Sequence, residues 1–270
     1  MHPRPVRFVV AVSVTAGTTV ALLASGCGVH PRPSTANPAG TPTSVALEPR
    51  AQLSARVAIA KDRRYVAAYA LTQKGKPTRT ILVTVATDAT WRVDIQGGAL
   101  GGTADVSIAG RDDGQYQCSV VAGCVKLAAK GGKLPAAADP RLHYPFTAWL
   151  DLLTDRQVAI SVAPAAALPG STGDCFSVEP TSAAMQPVID SSVVCYSADG
   201  VLTAVQAAFG SLTLTAAPSA APATVALPGP ITGAAPLPTA PPPPPSVTAT
   251  AAPTATRSQT ARPTATSKKP

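Results

Sequence analysis

The alternation of apolar and polar positions changes period several times along the chain, and those changes mark out the elements. Leu53, Val57 and Ala60 or Lys61 recur at i, i+4 and i+7, which predicts a helix around Ala51–Asp62. The period then falls to two. Trp91, Val93 and Ile95 alternate with Arg92, Asp94 and Gln96, as in a strand with one face buried and the other wet. Ile81–Val85 precedes it as a second strand, and Tyr65–Leu71 and Ala104–Ala109 read the same way. Further strands are expected at Gln115–Val121, Val125–Ala128, Val158–Ala163, Cys175–Glu179, Ser192–Ala198, Val201–Ala207 and Ser211–Thr215. Turn residues fall where these runs stop: Lys74-Gly75-Lys76-Pro77, Gly97-Gly98, Asp113-Gly114 and Asp199-Gly200. Short strands joined by such turns predict an antiparallel meander. One helix interrupts it, Pro145–Thr154, with Leu142, Phe146, Trp149, Leu150 and Leu153 on one stripe and Asp151 and Asp155 opposite. The expected class is therefore α+β: a curled antiparallel sheet of roughly ten strands, a half-barrel with two helices packed on its concave face.

Composition limits how far that domain extends. Fourteen of the 29 prolines lie between Pro218 and Pro270, including the run Pro241–Pro245, followed by repeated Thr-Ala and Pro-Thr-Ala units. Proline-rich sequence of this kind is expected to form an extended, solvated spacer, so 217–270 reads as a disordered tail and 48–216 as the folded domain. Gly28 to about Ser44 is likewise proline, serine, threonine and glycine without an apolar period, so 27–47 reads as a tether, with His30 a solvated residue in it. The net charge of +8 sits mostly outside the core: residues 51–216 hold 14 basic and 13 acidic side chains, whereas Arg257, Arg262, Lys268 and Lys269 put +4 on the tail. A nucleic-acid binder concentrates its positive charge on a folded face, so that class is set aside.

The first residues carry an address. Arg4 and Arg7 precede an uncharged apolar run from Phe8 to Ala24, which ends in Ser25, Gly26 and Cys27, the layout of a secretory signal over 1–26. Leu23-Ala24-Ser25-Gly26-Cys27 resembles the lipobox of bacterial lipoproteins. The resemblance implies a diacylglyceryl thioether on Cys27, which becomes the mature N-terminus, and a place on the extracytoplasmic face of the cell membrane. Parity points the same way: five cysteines leave one over, and with Cys27 acylated four remain, Cys118, Cys124, Cys175 and Cys195. An exported chain meets an oxidising compartment, so two disulfides are expected. Four cysteines allow three pairings; proximity favours Cys118 with Cys124 and Cys175 with Cys195. Their spacing and the lack of nearby histidine do not suit a zinc site, and no metal or other cofactor is expected.

The order of parts resembles the lipoprotein-carrier (LolA-like) fold, including the LppX/LprG-type lipoproteins of high-GC Gram-positive bacteria. The matching stretches are Arg64-Tyr65-Val66-Ala67-Ala68-Tyr69 after the first helix, Trp91-Arg92-Val93-Asp94-Ile95, and Cys195 through Thr203. The resemblance implies an apolar cavity between sheet and helices that holds a lipid or lipoglycan. Val83, Trp91, Val93, Ile95, Trp149 and Leu153 are the residues expected to line it. Catalytic signatures are not evident: the core's one histidine, His143, reads as a surface or capping residue, and Asp112-Asp113 as turn residues. The expected function is non-enzymatic binding of a hydrophobic ligand by a membrane-anchored protein, with the tail in contact with the cell wall. The alternative is a structural or regulatory envelope protein with a closed core.

Overall fold

A computed structural model describes residues 48–185 and 189–242. The leader 1–26, Cys27, the tether to residue 47 and the tail from 243 onward lie outside the described residues.

The described chain opens with helix α1 (Pro49–Asp62) and six strands: β1 (Tyr65–Thr72), β2 (Arg79–Val85), β3 (Trp91–Ala99), β4 (Ala104–Arg111), β5 (Gly114–Ser119) and β6 (Gly123–Ala128). Short 3-10 turns at Ala136–Ala138 and Tyr144–Phe146 lead to helix α2 (Ala148–Thr154). Five strands follow: β7 (Ile160–Pro164), β8 (Asp174–Pro180), β9 (Ser192–Tyr196), β10 (Leu202–Ala207) and β11 (Gly210–Leu214). All eleven form one open antiparallel sheet in the order β6-β5-β4-β3-β2-β1-β11-β10-β9-β8-β7. Two meanders are thus joined where β1 pairs with β11, Leu71 opposite Leu212. The expected elements are all present, most of their ends displaced by one or two residues.

The alternation within strands sets the two faces of the sheet. Tyr65, Ala67, Tyr69 and Leu71 of β1 point to one side and are buried, and they share a core with Leu53 and Val57 of α1 and with Phe146, Trp149 and Leu153. Both helices therefore close the same, inner face. Lys61 pairs with Asp151 at 2.7 Å where α1 and α2 meet. Arg50, in the first turn of α1, donates to the carbonyls of Ile160 and Val158, both at 2.8 Å, tying the helix start to the β7 edge.

Both disulfides follow the expected pairing and lie on the outer face. Cys118 and Cys124 face each other across β5 and β6, and Cys175 and Cys195 across β8 and β9, each with Cα atoms 4.0 Å apart. The first bridge packs under Leu227 and the second under Leu168.

Residues 217–242 differ from the spacer expected of them. They run as a strap across the outer face and around the β6 edge. Ser219 exchanges two backbone hydrogen bonds with Val66, at 2.8 and 3.1 Å. Val225 is buried, and its N–H donates to the Thr90 hydroxyl at 2.8 Å. The Arg92 guanidinium donates to Ala226 O at 2.9 Å. Cys124 donates to Pro230 O and accepts from the Thr232 N–H, both at 2.8 Å, so the strap pairs with the exposed edge of β6. The strap ends against the loops after β3 and β6: Leu100 N–H donates to Pro238 O at 2.8 Å and Thr239 N–H to Ala137 O at 2.7 Å. Gly123 and Gly101, both at φ +69°, give way to it, since a Cβ would come within 2.8 Å of Pro230 O in one case and 2.9 Å of Pro241 Cβ in the other. Proline removes donors, not acceptors, so a proline-rich chain can still pair its carbonyls with strand edges and seat single apolar side chains. Composition excludes a second core but does not exclude this.

Candidate functional site

A cavity of about 890 Å³ lies at one end of the sheet, between the inner face and the segment 130–151. Its strand-borne walls come from the ends that share one row: Tyr65, Val85, Trp91, Gly110 and Gln115, which neighbour one another in the β-register or follow at the next position. α1 contributes Ala60 and Lys61, and the opposite wall is built by Leu134, Phe146 and Leu150, with Tyr196 and Leu202 also lining the space.

The wall is mostly apolar, and the phenols in it are neutral near pH 7. Burial pushes the Tyr65 phenol up to about 12 and the Tyr196 phenol well above its ordinary range. Tyr69, just beyond, donates to Leu202 O at 2.9 Å. The wall also carries charged side chains, Lys61, Arg64, Arg111, Lys130, Lys133 and Arg141 against Asp88, Asp112, Asp151 and the buried side chain of Asp139. Several are paired, Lys61 with Asp151 at 2.7 Å and Lys130 with Asp112 at 2.6 Å.

One wall is an aromatic stack. Trp91 lies over Gly110, its partner across β3 and β4, and a Cβ at Gly110 would stand 2.3 Å from the indole Cε2. Only glycine lets the ring lie there. On the far side of the ring is His143, which contacts Tyr144 edge-on with centroids 4.6 Å apart. His143 is 2% exposed, so the expected surface or capping role is corrected: the turn at Tyr144–Phe146 folds the ring inward against the sheet. Burial holds its imidazole down to about 4, an effect that nearby Asp139 opposes. His143 Nδ1 is 3.7 Å from Asp139 Oδ1, too far for a hydrogen bond, and has no hydrogen-bond partner among the described residues. Asp139 is otherwise committed. It accepts from the Arg141 N–H at 2.8 Å and from the Tyr144 hydroxyl. Burial first, and that hydrogen bond second, raise the Tyr144 phenol far above its usual range.

Of the six residues expected to line a cavity, Trp91 alone stands on its wall. Val83, Val93, Ile95, Trp149 and Leu153 are at most 2% exposed and belong to the packed core. Val83, Val93 and Ile95 do point inward, as their alternation requires, but Trp149 and Leu153 of α2 pack into the same core with them. Sequence reasoning missed His143, Tyr144, Leu134 and Leu150 as wall residues. The segment 129–141 has no period to read, and the local signal that follows it is the aromatic cluster His143-Tyr144-Pro145-Phe146. No group of three or more His, Cys, Asp or Glu side chains is placed to hold a metal among the described residues. No protein-family model matches the chain, and no curated protein matches it.

Proposed function

We propose that this protein is a lipoprotein anchored through acylated Cys27 on the extracytoplasmic face of the membrane, and that it carries a lipid or lipoglycan with its apolar part in the end cavity. The open sheet with helices on one face is taken as the curled half-barrel of a LolA-like carrier. The observation that carries the reading is the cavity itself: about 890 Å³ with a mostly apolar wall, inside the range of about 300–1,000 Å³ typical of ligand sites. An envelope protein with a closed core has no use for such a space. Ligand is held by shape and burial, and the reading includes no reaction. The cationic tail end, Lys268 and Lys269, would meet anionic wall polymers.

Native mass spectrometry of the protein released from its native membrane tests the carrier reading. A lipid mass retained on the folded chain is expected; bare polypeptide mass alone would overturn it and favour the structural role. Anchoring is tested apart from that by Cys27→Ala, which should release the chain or leave it unprocessed. Unchanged membrane retention at mature size would exclude the acyl tether.

A further inference from the structure

The β5–β6 hairpin ends in Val120, Val121 and Ala122. Its two valines, 101% and 90% exposed, are the most exposed large apolar side chains among the described residues, and Ile231 of the strap, 60% exposed, lies beside them through its pairing with Cys124. The tip is rigidly held. The Cys118–Cys124 disulfide closes its base, the Ala122 N–H donates to Ser119 Oγ at 3.0 Å, and the Thr232 hydroxyl donates to Ala122 O at 2.8 Å. The scaffold thus displays the valines to solvent, where apolar surface is unfavourable, and does not let them fold back. No charged residue occurs from Gln115 to Val125, or along the strap from Pro218 to Pro242. A protein partner would ordinarily be oriented by charge, and the tip and the strap themselves carry none.

The position of the tip in the register says what it faces. Arg50 ties the start of α1 to Ile160, the first residue of β7, which lies opposite Pro180. The same strand ends carry the turns after Ala207, Thr72 and Ala99, and the last pair of the β5–β6 hairpin, Ser119 with Gly123. The chain therefore enters α1, which 48 residues precede, at the end where the valines project. The cavity wall at Gly110 and Gln115 is at the opposite end, about 17 Å back along β5 at about 3.3 Å per residue.

We propose that Val120 and Val121, with Ile231 beside them, insert into the interfacial layer of the bilayer to which the chain is tethered. This second contact holds the domain with the cavity end of its sheet turned away from that membrane, so that ligand passes on the wall side. A single anchor leaves a domain free to tumble, and a second apolar contact gives it an orientation. The proposal rests on the tethered reading for the bilayer's presence, and its test replaces the acyl anchor.

The chain from residue 28 on, which contains the whole described fold, is tethered by an N-terminal hexahistidine to nickel-chelating lipid in phosphatidylcholine vesicles whose acyl chains are brominated. Tryptophan emission of Val121→Trp is compared with that of Asp112→Trp, an exposed position in the turn at the cavity end, and with the parent. A blue shift and loss of emission confined to Val121→Trp are expected, and adding Val120→Asp should reverse them. Equal quenching at both positions, none at either, or quenching at Asp112→Trp alone would overturn the proposal. So would concentration-dependent dimers that Val120→Asp dissolves in the absence of quenching, which would make the tip a contact between copies. Since no acyl group takes part, failure here leaves the Cys27 and cavity readings standing, and failure of acylation leaves this result standing.

Discussion

The indole of Trp91 and the imidazole of His143 lie face to face, centroids 5.7 Å apart and planes within 8° of parallel. Trp91 belongs to the sheet and His143 to the segment that roofs it, so this contact closes the cavity wall. Each ring is where it is for a different reason: Gly110 leaves room for one, and the turn after Arg141 directs the other inward.

The buried imidazole makes stability depend on pH. Its folded pKa of about 4 is below the ordinary value of 6.5, so the unfolded chain takes up the proton first. Stability is fully present above about pH 6.5 and is lost as pH falls from there toward about 4. The two values imply a loss of about 3 kcal/mol at the acid end. Denaturant midpoints measured between these limits should show the slope in the parent and a flatter one in His143→Phe, which keeps a ring against Trp91. An equal slope in both would assign the dependence to other groups.

Gly110→Val should displace Trp91 from the wall. The side chain would overlap the indole, and such overpacking costs about 1–3 kcal/mol. A lower unfolding temperature together with a red-shifted tryptophan spectrum is expected; an unchanged spectrum would mean that the ring is not held by this contact.

Core and wall substitutions should separate. Ile95→Val removes a methylene from a fully packed position and should cost about 0.5–1.5 kcal/mol without changing retained lipid. Leu134→Arg, on a half-buried wall position, should leave the unfolding temperature nearly unchanged and abolish lipid retention. Thermal unfolding and native mass spectrometry of the two variants read both effects. The reverse assignment would place the ligand elsewhere.

Removing the strap should weaken the domain. A chain ending at residue 217 exposes the outer face at the Cys118–Cys124 bridge and loses buried Val225, a side chain whose burial alone is worth about 1.5–3 kcal/mol. A drop of several degrees in the unfolding temperature is expected for a domain of this size. An equal temperature for both chains would return 217–242 to the status of a spacer.

Much of the fold is legible in the chain. A strand with one face dry and one wet has to alternate, which is why Trp91, Val93 and Ile95 declare β3, and glycine-bearing turns declare where the strands end. The cysteine pairs are legible for a related reason: strands adjacent in a meander bring nearby cysteines opposite one another. The cavity is less legible, because alternation assigns Val93 and Trp91 to the same side of the sheet without saying that a helix fills the space above the first and leaves it open above the second.

Sequence alone determined the strands, the two helices and their common face, and it favoured the cysteine pairing that the structure shows, because each follows from contacts within a turn or between neighbouring strands. Only the tertiary structure decided that His143 is buried, that five inward residues are core, and that residues 217–242 form a strap. A solvated proline-rich spacer and a strap share one local backbone. They differ in whether distant groups, such as the Val66 carbonyl, the Thr90 hydroxyl and the β6 edge, stand within hydrogen-bond reach, and no local pattern records that.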